Sequence, residues 1–400
     1  MNFIALKMLV GDRAKYLGIV FGVTLATMLV VHQVTIFTGL MARTWSVVRD
    51  LRDSSGVELI VADPATEFLN DAKPMSETAL ARVRSVAGVA WAVPMSFNSV
   101  RARIGTGGAG DGAVGDGRRD RFRTCIVVGL DDTTLIGGPA RFVEGSLAAL
   151  RGPDAVIIDR LDSLQLLAVS DGAGGRRPPR VGEVVEINDH RAVVGAISDN
   201  TRPFLSQPIV YTTYSNARRW APTERRGLSY VLVKLKEGAA ADAVGASLEA
   251  QTGLAVYETN AFGFKTVGYF LRNTGIPVNF GITIILGCVV GIAISGQTFY
   301  LFVLDNLKQL AALKAMGATN LQLLGMTGLQ AVLVGVVGYG LGVLGALGLI
   351  LPFKGTELEF TLYWQVLLLA ALAITGIVAL ASVLSLRRVL SLEPAVVFKG

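Results

Sequence analysis

The stretch ITIILGCVVGIAISGQTFYLFVL, residues 282–304, contains no charged side chain. A helix needs about 20 apolar residues to cross a lipid bilayer, and this stretch exceeds that length. Three other stretches have the same character: Leu17–Met41, Leu321–Leu351 and Trp364–Leu386. The sequence therefore predicts a multi-pass α-helical membrane protein with one span near its beginning, a long polar segment, and three further spans.

The composition agrees with a membrane protein. Of 400 residues, 52% are hydrophobic and 17% are charged, whereas a soluble domain carries about 25% charged residues. The net charge is +6, but no arginine-rich arm or basic-aromatic stripe accompanies it. Nucleic acid is therefore not an expected partner.

Basic residues at the ends of the spans predict the orientation, because Lys and Arg concentrate on the cytoplasmic side of a membrane. We expect both termini and residues 305–320 in the cytoplasm and the large polar segment on the other side. The basic residues are Lys7, Arg13 and Lys15 before the first span, Lys308 and Lys314 between the second and third, and Arg387, Arg388 and Lys399 after the fourth.

The first span is expected to be an uncleaved anchor, because its apolar run is longer than the 7–15 residues of a signal peptide core. Residues 1–16 have the composition of an amphipathic helix on the inner membrane surface, or of a plain polar flank. The predicted order is a cytoplasmic amphipathic segment 1–16, span 17–41, an α/β domain 42–275, span 276–304, a cytoplasmic segment 305–320, span 321–351, a short outer loop 352–363, span 364–386 and a cytoplasmic tail 387–400.

The domain 42–275 is expected to mix strands and helices, since β-branched runs alternate with two helical patterns at Ser76–Val86 and Ala239–Gln251. Two low-complexity loops, Gly105–Asp120 and Ser170–Arg180, interrupt it. The predicted strands are Val57–Val61, Ala90–Val93, Arg121–Leu130, Ala155–Asp159, Val181–Ile187, Arg191–Ile197, Ile209–Thr213, Leu228–Leu235 and Leu254–Glu258.

No constellation of residues indicates an enzyme. The sequence has no G-x-x-x-x-G-K-[ST] phosphate loop, and its two histidines, His32 and His190, fall in different regions. Its two cysteines, Cys125 and Cys288, fall in the polar domain and in a span, so a disulfide between them is excluded. We therefore expect no catalytic, cofactor-binding or metal-binding residues.

Small residues line one face of two spans. Gly287, Gly291 and Ser295 are spaced by four in the second span; Gly338, Gly342 and Ala346 are spaced by four in the third. Such faces let helices approach closely, which allows either packing within one subunit or dimerisation. Polar residues in the spans serve either interhelical hydrogen bonds or a substrate path; they are His32, Gln33, Gln297 and Gln330.

The cytoplasmic segment DNLKQLAALKAMGATN, residues 305–320, predicts a short helix that stops at Gly317. Leu307, Leu310, Leu313 and Lys314 recur at helical spacing. An ordinary connector does not need this apolar face, which suggests that the helix docks onto something.

The chain resembles MacB/FtsX-type ABC transporter permeases, in particular the DevC kind with a separate ATPase chain. Three features carry the resemblance: this segment with its continuation LQLLGM, the single span before a large outer domain, and the closing SLEPAVVFKG. The resemblance implies that Leu307–Ala318 is the coupling helix that contacts the ATPase. Its expected contact residues are Leu310, Leu313, Lys314, Met316 and Gly317. Lys308 and Gln309 stand where many members carry Arg and Glu, which weakens the case for a specific ion pair there.

The resemblance also implies a homodimer in the inner membrane of a bacterium, with ATP bound by the partner ATPase and no cofactor on this chain. The favoured function is export together with a periplasmic membrane-fusion protein, in contact with membrane lipids. The alternative is a mechanotransmitter that extracts lipoproteins or regulates a cell-wall hydrolase. A receptor would need a cytoplasmic output domain, and a secondary transporter would need internal repeats and ionisable residues at the midplane. None of these is visible in the sequence, so both functions fit less well. The transported substrate is not predicted.

Overall fold

The computed structural model describes residues 2–103, 122–160, 167, 169–170, 176–200, 203–204, 207–353 and 360–390. It divides into two units, which we call the helix bundle (Met1–Leu40 and Gly275–Gly400) and the inserted domain (Met41–Thr274). The predicted loop Gly105–Asp120, the centre of Ser170–Arg180 and the closing motif 391–400 lie outside the described residues.

Within that described part, the helices in chain order are α1 (Asn2–Gly11), α2 (Arg13–Thr44), α3 (Ser46–Ser55), α4 (Thr78–Arg84), α5 (Tyr214–Trp220), α6 (Ala241–Thr252), α7 (Thr259–Asn273), α8 (Ile276–Asp305), α9 (Leu307–Ala315), α10 (Asn320–Ile350) and α11 (Trp364–Leu390). Single 3₁₀ turns occur at Leu69–Asp71, Leu147–Arg151, Thr223–Arg225 and Leu351–Phe353.

Four of these helices, α2, α8, α10 and α11, are long and apolar enough to cross a membrane. The bundle has an apolar interior, where Val23 of α2, Phe302 of α8 and Val334 of α10 are almost fully buried. Large apolar side chains also cover its outside, including Ile285 and Leu344. An apolar exterior is stable only in a lipid environment. The fold thus confirms the predicted multi-pass membrane protein with one span before, and three after, a mixed α/β domain.

The inserted domain contains the strands. Among the described residues they are β1 (Leu59–Ala62), β2 (Val89–Arg103), β3 (Phe122–Leu130), β4 (Phe142–Glu144), β5 (Ala155–Asp159), β6 (Val169–Ser170), β7 (Arg176–Arg177), β8 (Val184–Ile187), β9 (His190–Ser198), β10 (Ile209–Thr213), β11 (Tyr230–Leu235) and β12 (Ala255–Glu258).

One strand links the two halves of the main sheet, whose order is β12-β1-β11-β2-β3-β10-β5-β9-β4. The first half of β2 pairs with β11, and its second half pairs with β3. Near its end, Ala102 pairs with Ile187 of β8, and β8 also pairs with β9. The strands β2, β3, β10, β5, β9 and β8 therefore close into a small barrel, which removes exposed strand edges.

Helices cover the other half of the sheet. Helices α4 and α6 bury Val83 and Leu248 on one face, while α3 and α7 bury Leu51 and Phe262 on the opposite face. The fully buried Tyr230 joins this second core and donates its hydroxyl to the Leu69 carbonyl at 2.6 Å. This hydrogen bond satisfies a polar group that would be costly to bury alone.

Helices α3 and α7 pack side by side. A Cβ atom at Gly263 of α7 would lie 2.6 Å from Cε3 of Trp45, so only glycine lets the indole approach. About one turn earlier on α7, Asn260 accepts from Arg52 of α3 at 2.6 Å. The helix pair is thus fastened at two points.

Candidate functional site

The helix α9 and the turn after it form a fixed corner between two membrane-crossing helices. The amide of Ala318 donates to the Leu313 carbonyl and that of Gly317 to the Lys314 carbonyl, at 3.0 and 3.1 Å. These two bonds define a Schellman cap, which needs a left-handed residue; Gly317 supplies it with φ of 96°.

The next helix begins with an equally defined cap. Thr319 accepts from the backbone amide of Gln322 at 3.3 Å, and the Gln322 side chain accepts from the Thr319 amide at 2.9 Å. This reciprocal pair is a capping box. With caps on both sides, the connection from α9 to α10 has a specified geometry, so α9 and α10 are expected to move together.

The corner is anchored on one side and exposed on the other. Leu310 is buried in the core of the bundle, and Leu313 packs against that core. Met316 and Leu321, on either side of the turn, are 76% and 79% exposed. Two apolar side chains held at the tip of a rigid turn form a small surface suited to contact with another protein.

Of the five residues predicted from the sequence, the structure brings Met316 and Gly317 to the exposed turn and leaves Lys314 half-buried beside it. Leu310 and Leu313 face the bundle instead. Leu321 was not among the predicted residues, although an apolar residue inside the T-x-x-Q capping box of residues 319–322 is a usable signal.

The small-residue faces of α8 and α10 both lie against α2. A Cβ atom at Gly291 would meet Ala26, and Gly287 lies beside Leu29. On α10, a Cβ atom at Gly338 would lie 2.6 Å from Val23 Cγ1, and one at Gly342 would lie 2.7 Å from the Thr24 carbonyl oxygen. On α8, the buried Ser295 faces Gly22 of α2. The structure therefore uses these glycines for packing within one subunit.

Polar contacts tie the N-terminal region to the same end of the bundle. Gln330 of α10 donates to the Ala5 carbonyl of α1 at 2.7 Å. Lys15 forms ion pairs with Asp12 at 2.9 Å and with Asp305 at the end of α8. The hydrogen bond from Lys15 also lowers the pKa of Asp12. The sequence indicates Gln330 as a polar residue within a span but not its partner, since α1 and α10 are distant in the chain.

A groove of about 710 Å³ lies in the inserted domain, next to the end of α3. Two of its charged side chains form an ion pair, in which Lys234 donates to Glu58 at 2.7 Å and lowers the pKa of that carboxyl. In the part of the chain that the structure describes, no three His, Cys, Asp or Glu side chains are arranged to hold a metal ion.

Four apolar helices and a large domain inserted after the first define a multi-pass membrane protein. The model for the MacB-like periplasmic core domain matches residues 17–251, and the model for the FtsX-like permease C-terminal region matches residues 280–394. The chain therefore belongs to the MacB/FtsX family of ABC transporter permeases, as its sequence motifs predicted.

Two solved structures are similar to about half of the chain. The extracellular domain of the noncanonic ABC-type transporter YknZ from Gram-positive bacteria is 14% identical, with a TM-score of 0.34, over 50% of this chain and 98% of that one. The periplasmic region of MacB from Actinobacillus actinomycetemcomitans is 10% identical, with a TM-score of 0.35, over 57% and 98%. No curated protein has significant similarity to the chain.

Proposed function

We propose that this chain is the membrane subunit of an ABC transporter in the inner membrane of a bacterium, with both termini and α9 in the cytoplasm. The family membership supports the general role. The orientation is supported by the basic residues that flank the spans, since Lys7, Lys15, Lys308 and Lys314 lie at one end of the bundle and such residues concentrate on the cytoplasmic side of a membrane.

In this proposal, the exposed corner after α9 docks onto a separate ATPase subunit. The single observation that carries it is the combination of exposed Met316 and Leu321 with a turn fixed by two caps. Leu310 and Leu313 contribute by fixing α9 to the bundle, so that a push on the corner displaces α10 with it. Lys314 and Gly317 complete the docking surface.

Two copies of this chain and two ATPase subunits would make one transporter. ATP, bound only by the ATPase, closes the two ATPase subunits and pushes the corners, and the bundle helices tilt in response. The inserted domain lies between α2 and α8 in the chain, so both of its ends are attached to moving helices. Charged side chains are rare in the spans, which favours a lever over a polar channel.

The work done by this lever is export, with a periplasmic membrane-fusion protein that receives the substrate outside the membrane. Lipoprotein extraction and hydrolase regulation would use the same lever, and they differ in the protein that the inserted domain contacts. The substrate itself is not assigned.

The test is an affinity purification from native membranes in mild detergent, followed by mass spectrometry and an ATPase assay. We expect a stoichiometric ABC ATPase with the wild-type chain and its loss with Met316→Asp, which places a charge in the docking surface. Val143→Asp is the matched control, because Val143 is an exposed valine in the inserted domain.

Absence of an ATPase from the wild-type eluate, or equal recovery with Met316→Asp, would contradict the docking role of the corner. A membrane-fusion protein in the eluate supports export, whereas a lipoprotein or a cell-wall hydrolase in its place would replace export by mechanotransmission.

A further inference from the structure

The helix α1 is fastened to the bundle by one side only. Its Ala5 and Leu9 are buried in the bundle core, and Gln330 holds its backbone. On the opposite side, Phe3, Leu6 and Val10 are 68%, 41% and 51% exposed. These three residues recur every three or four positions, so they form a continuous apolar stripe along α1.

This stripe continues onto a membrane-crossing helix. Leu17 and Phe21 of α2, after the break at Asp12, are 61% and 62% exposed and lie one helical turn apart. The outside of α2 faces lipid wherever the bundle spans the bilayer. The same lipid, at the membrane surface, therefore covers the exposed stripe on α1.

A groove of about 830 Å³ lies beside the stripe, between α1 and the end of α8. Phe3, Ile4 and Met8 line one wall, and Asp305, Asn306 and Gln309 line the other. The groove thus combines apolar side chains with polar ones at the level where α2 enters the bundle.

The charges around this groove are unequal. Both acidic residues, Asp12 and Asp305, are already bound by Lys15. In the described part of the chain, the other two cations, Lys7 and Arg13, have no acidic partner; Lys7 lies over the Phe3 ring, 5.0 Å from its centre. Three cations, Lys7, Arg13 and Lys15, thus stand against two carboxylates, and the excess of one positive charge complements an anionic ligand.

We propose that the groove binds the headgroup of an anionic phospholipid of the inner leaflet, while the Phe3–Leu6–Val10 stripe contacts its acyl chains. Each basic residue near a membrane surface strengthens binding of anionic lipid by about fivefold. A bound lipid would hold α1 against the bundle at the same end as α9, so the lipid composition would influence the corner that docks the ATPase. This inference goes beyond the proposed function, since lipid binding needs no ATPase.

The test is native mass spectrometry of the full-length protein in detergent, titrated with phosphatidylglycerol and, separately, with phosphatidylcholine. We expect the wild-type chain to bind phosphatidylglycerol more tightly. The double variant Lys7→Gln/Arg13→Gln should lose about 25-fold in affinity for phosphatidylglycerol and none for phosphatidylcholine. Lys7→Arg/Arg13→Lys keeps both charges and should bind like the wild type.

Lys308→Gln is the matched control, because Lys308 is an exposed cation of α9 that does not line the groove. Equal affinity of the wild type for the two lipids would overturn the proposal, as would an equal loss with Lys308→Gln. Unchanged lipid binding in the double variant, together with loss of the ATPase from its eluate, would make this face a protein-docking surface instead.

Discussion

Gly342 of α10 packs against α2, and its replacement by alanine tests the packing of the bundle quantitatively. A Cβ atom there would lie 2.7 Å from the Thr24 carbonyl oxygen and 2.8 Å from Cγ2 of Thr27. Ordinary contacts begin at about 3.5 Å, so both overlaps exceed half an ångström. The carbonyl belongs to a helix backbone, so a side-chain rotation cannot relieve the overlap.

Overpacking of this kind costs about 1–3 kcal/mol. Alanine also forms helix better than glycine by about 1 kcal/mol, which would hide part of the loss. Gly340→Ala corrects for this, since a Cβ atom at Gly340 meets nothing within 4 Å. Both glycines lie in α10, so the helix-propensity gain cancels when the two variants are compared.

The assay is reversible unfolding in mixed micelles with increasing sodium dodecyl sulfate, followed by circular dichroism. We expect Gly342→Ala to unfold with a free energy about 1–3 kcal/mol lower than Gly340→Ala. The pair Gly291→Ala and Gly281→Ala on α8 should repeat the result, because Gly291 abuts Ala26 and Gly281 has open space. Equal stability within each pair would refute the close packing of α8 and α10 on α2.

Three further predictions concern two ion pairs and one buried cysteine. Asp305→Asn should lower the unfolding free energy of the bundle by less than about 1 kcal/mol in the same assay, because its ion pair with Lys15 is partly exposed; a loss above about 2 kcal/mol would show a stronger role. Burial raises the pKa of Cys125 to about 12, so iodoacetamide at pH 8 should modify Cys125 only after denaturation, as peptide mass spectrometry would show; rapid modification of the folded protein would contradict its burial. Lys234 lowers the pKa of Glu58 below 4.5. The extra thermal stability of the wild type over Lys234→Gln should therefore be present above pH 4.5 and vanish as the pH falls through the lowered pKa. A stability difference that grows in acid would contradict the lowering of this pKa by Lys234.

The sequence predicts the spans and most strands well because their signals are local. A charge-free run of 23 residues in Ile282–Leu304 admits few structures besides a membrane helix. Strands such as β5 and β10 coincide with the predicted Ala155–Asp159 and Ile209–Thr213, since their β-branched residues are contiguous.

Features that depend on distant partners were not predicted. Strand β2 extends ten residues beyond the predicted Ala90–Val93, to Arg103, because β3 and β8 pair with a stretch whose own strand signal is weak. Helix α7 contains Gly263 and Gly268 and several aromatic residues, which have low helix propensity. Packing against α3 overrides that propensity, and Gly263 serves this packing.

In the candidate site, too, the features with a local sequence signal were predicted and those set by distant residues were not. The turn at Gly317 is visible in the sequence because glycine is a common helix stop. Which side of α9 faces the bundle is not visible, since Leu310, Leu313 and Met316 are all apolar. Only the neighbouring helices determine that Leu310 is buried and that Met316 is exposed.

The central claim, that a separate ATPase moves the inserted domain, is tested most directly by energy transfer between two copies of the chain. Ser247→Cys gives an exposed label on α6, in a Cys288→Ala background where the remaining Cys125 is buried. In vesicles containing the chain with its ATPase, ATP should change the transfer efficiency, and Met316→Asp should abolish that change. An efficiency that stays constant while ATP is hydrolysed would contradict the account.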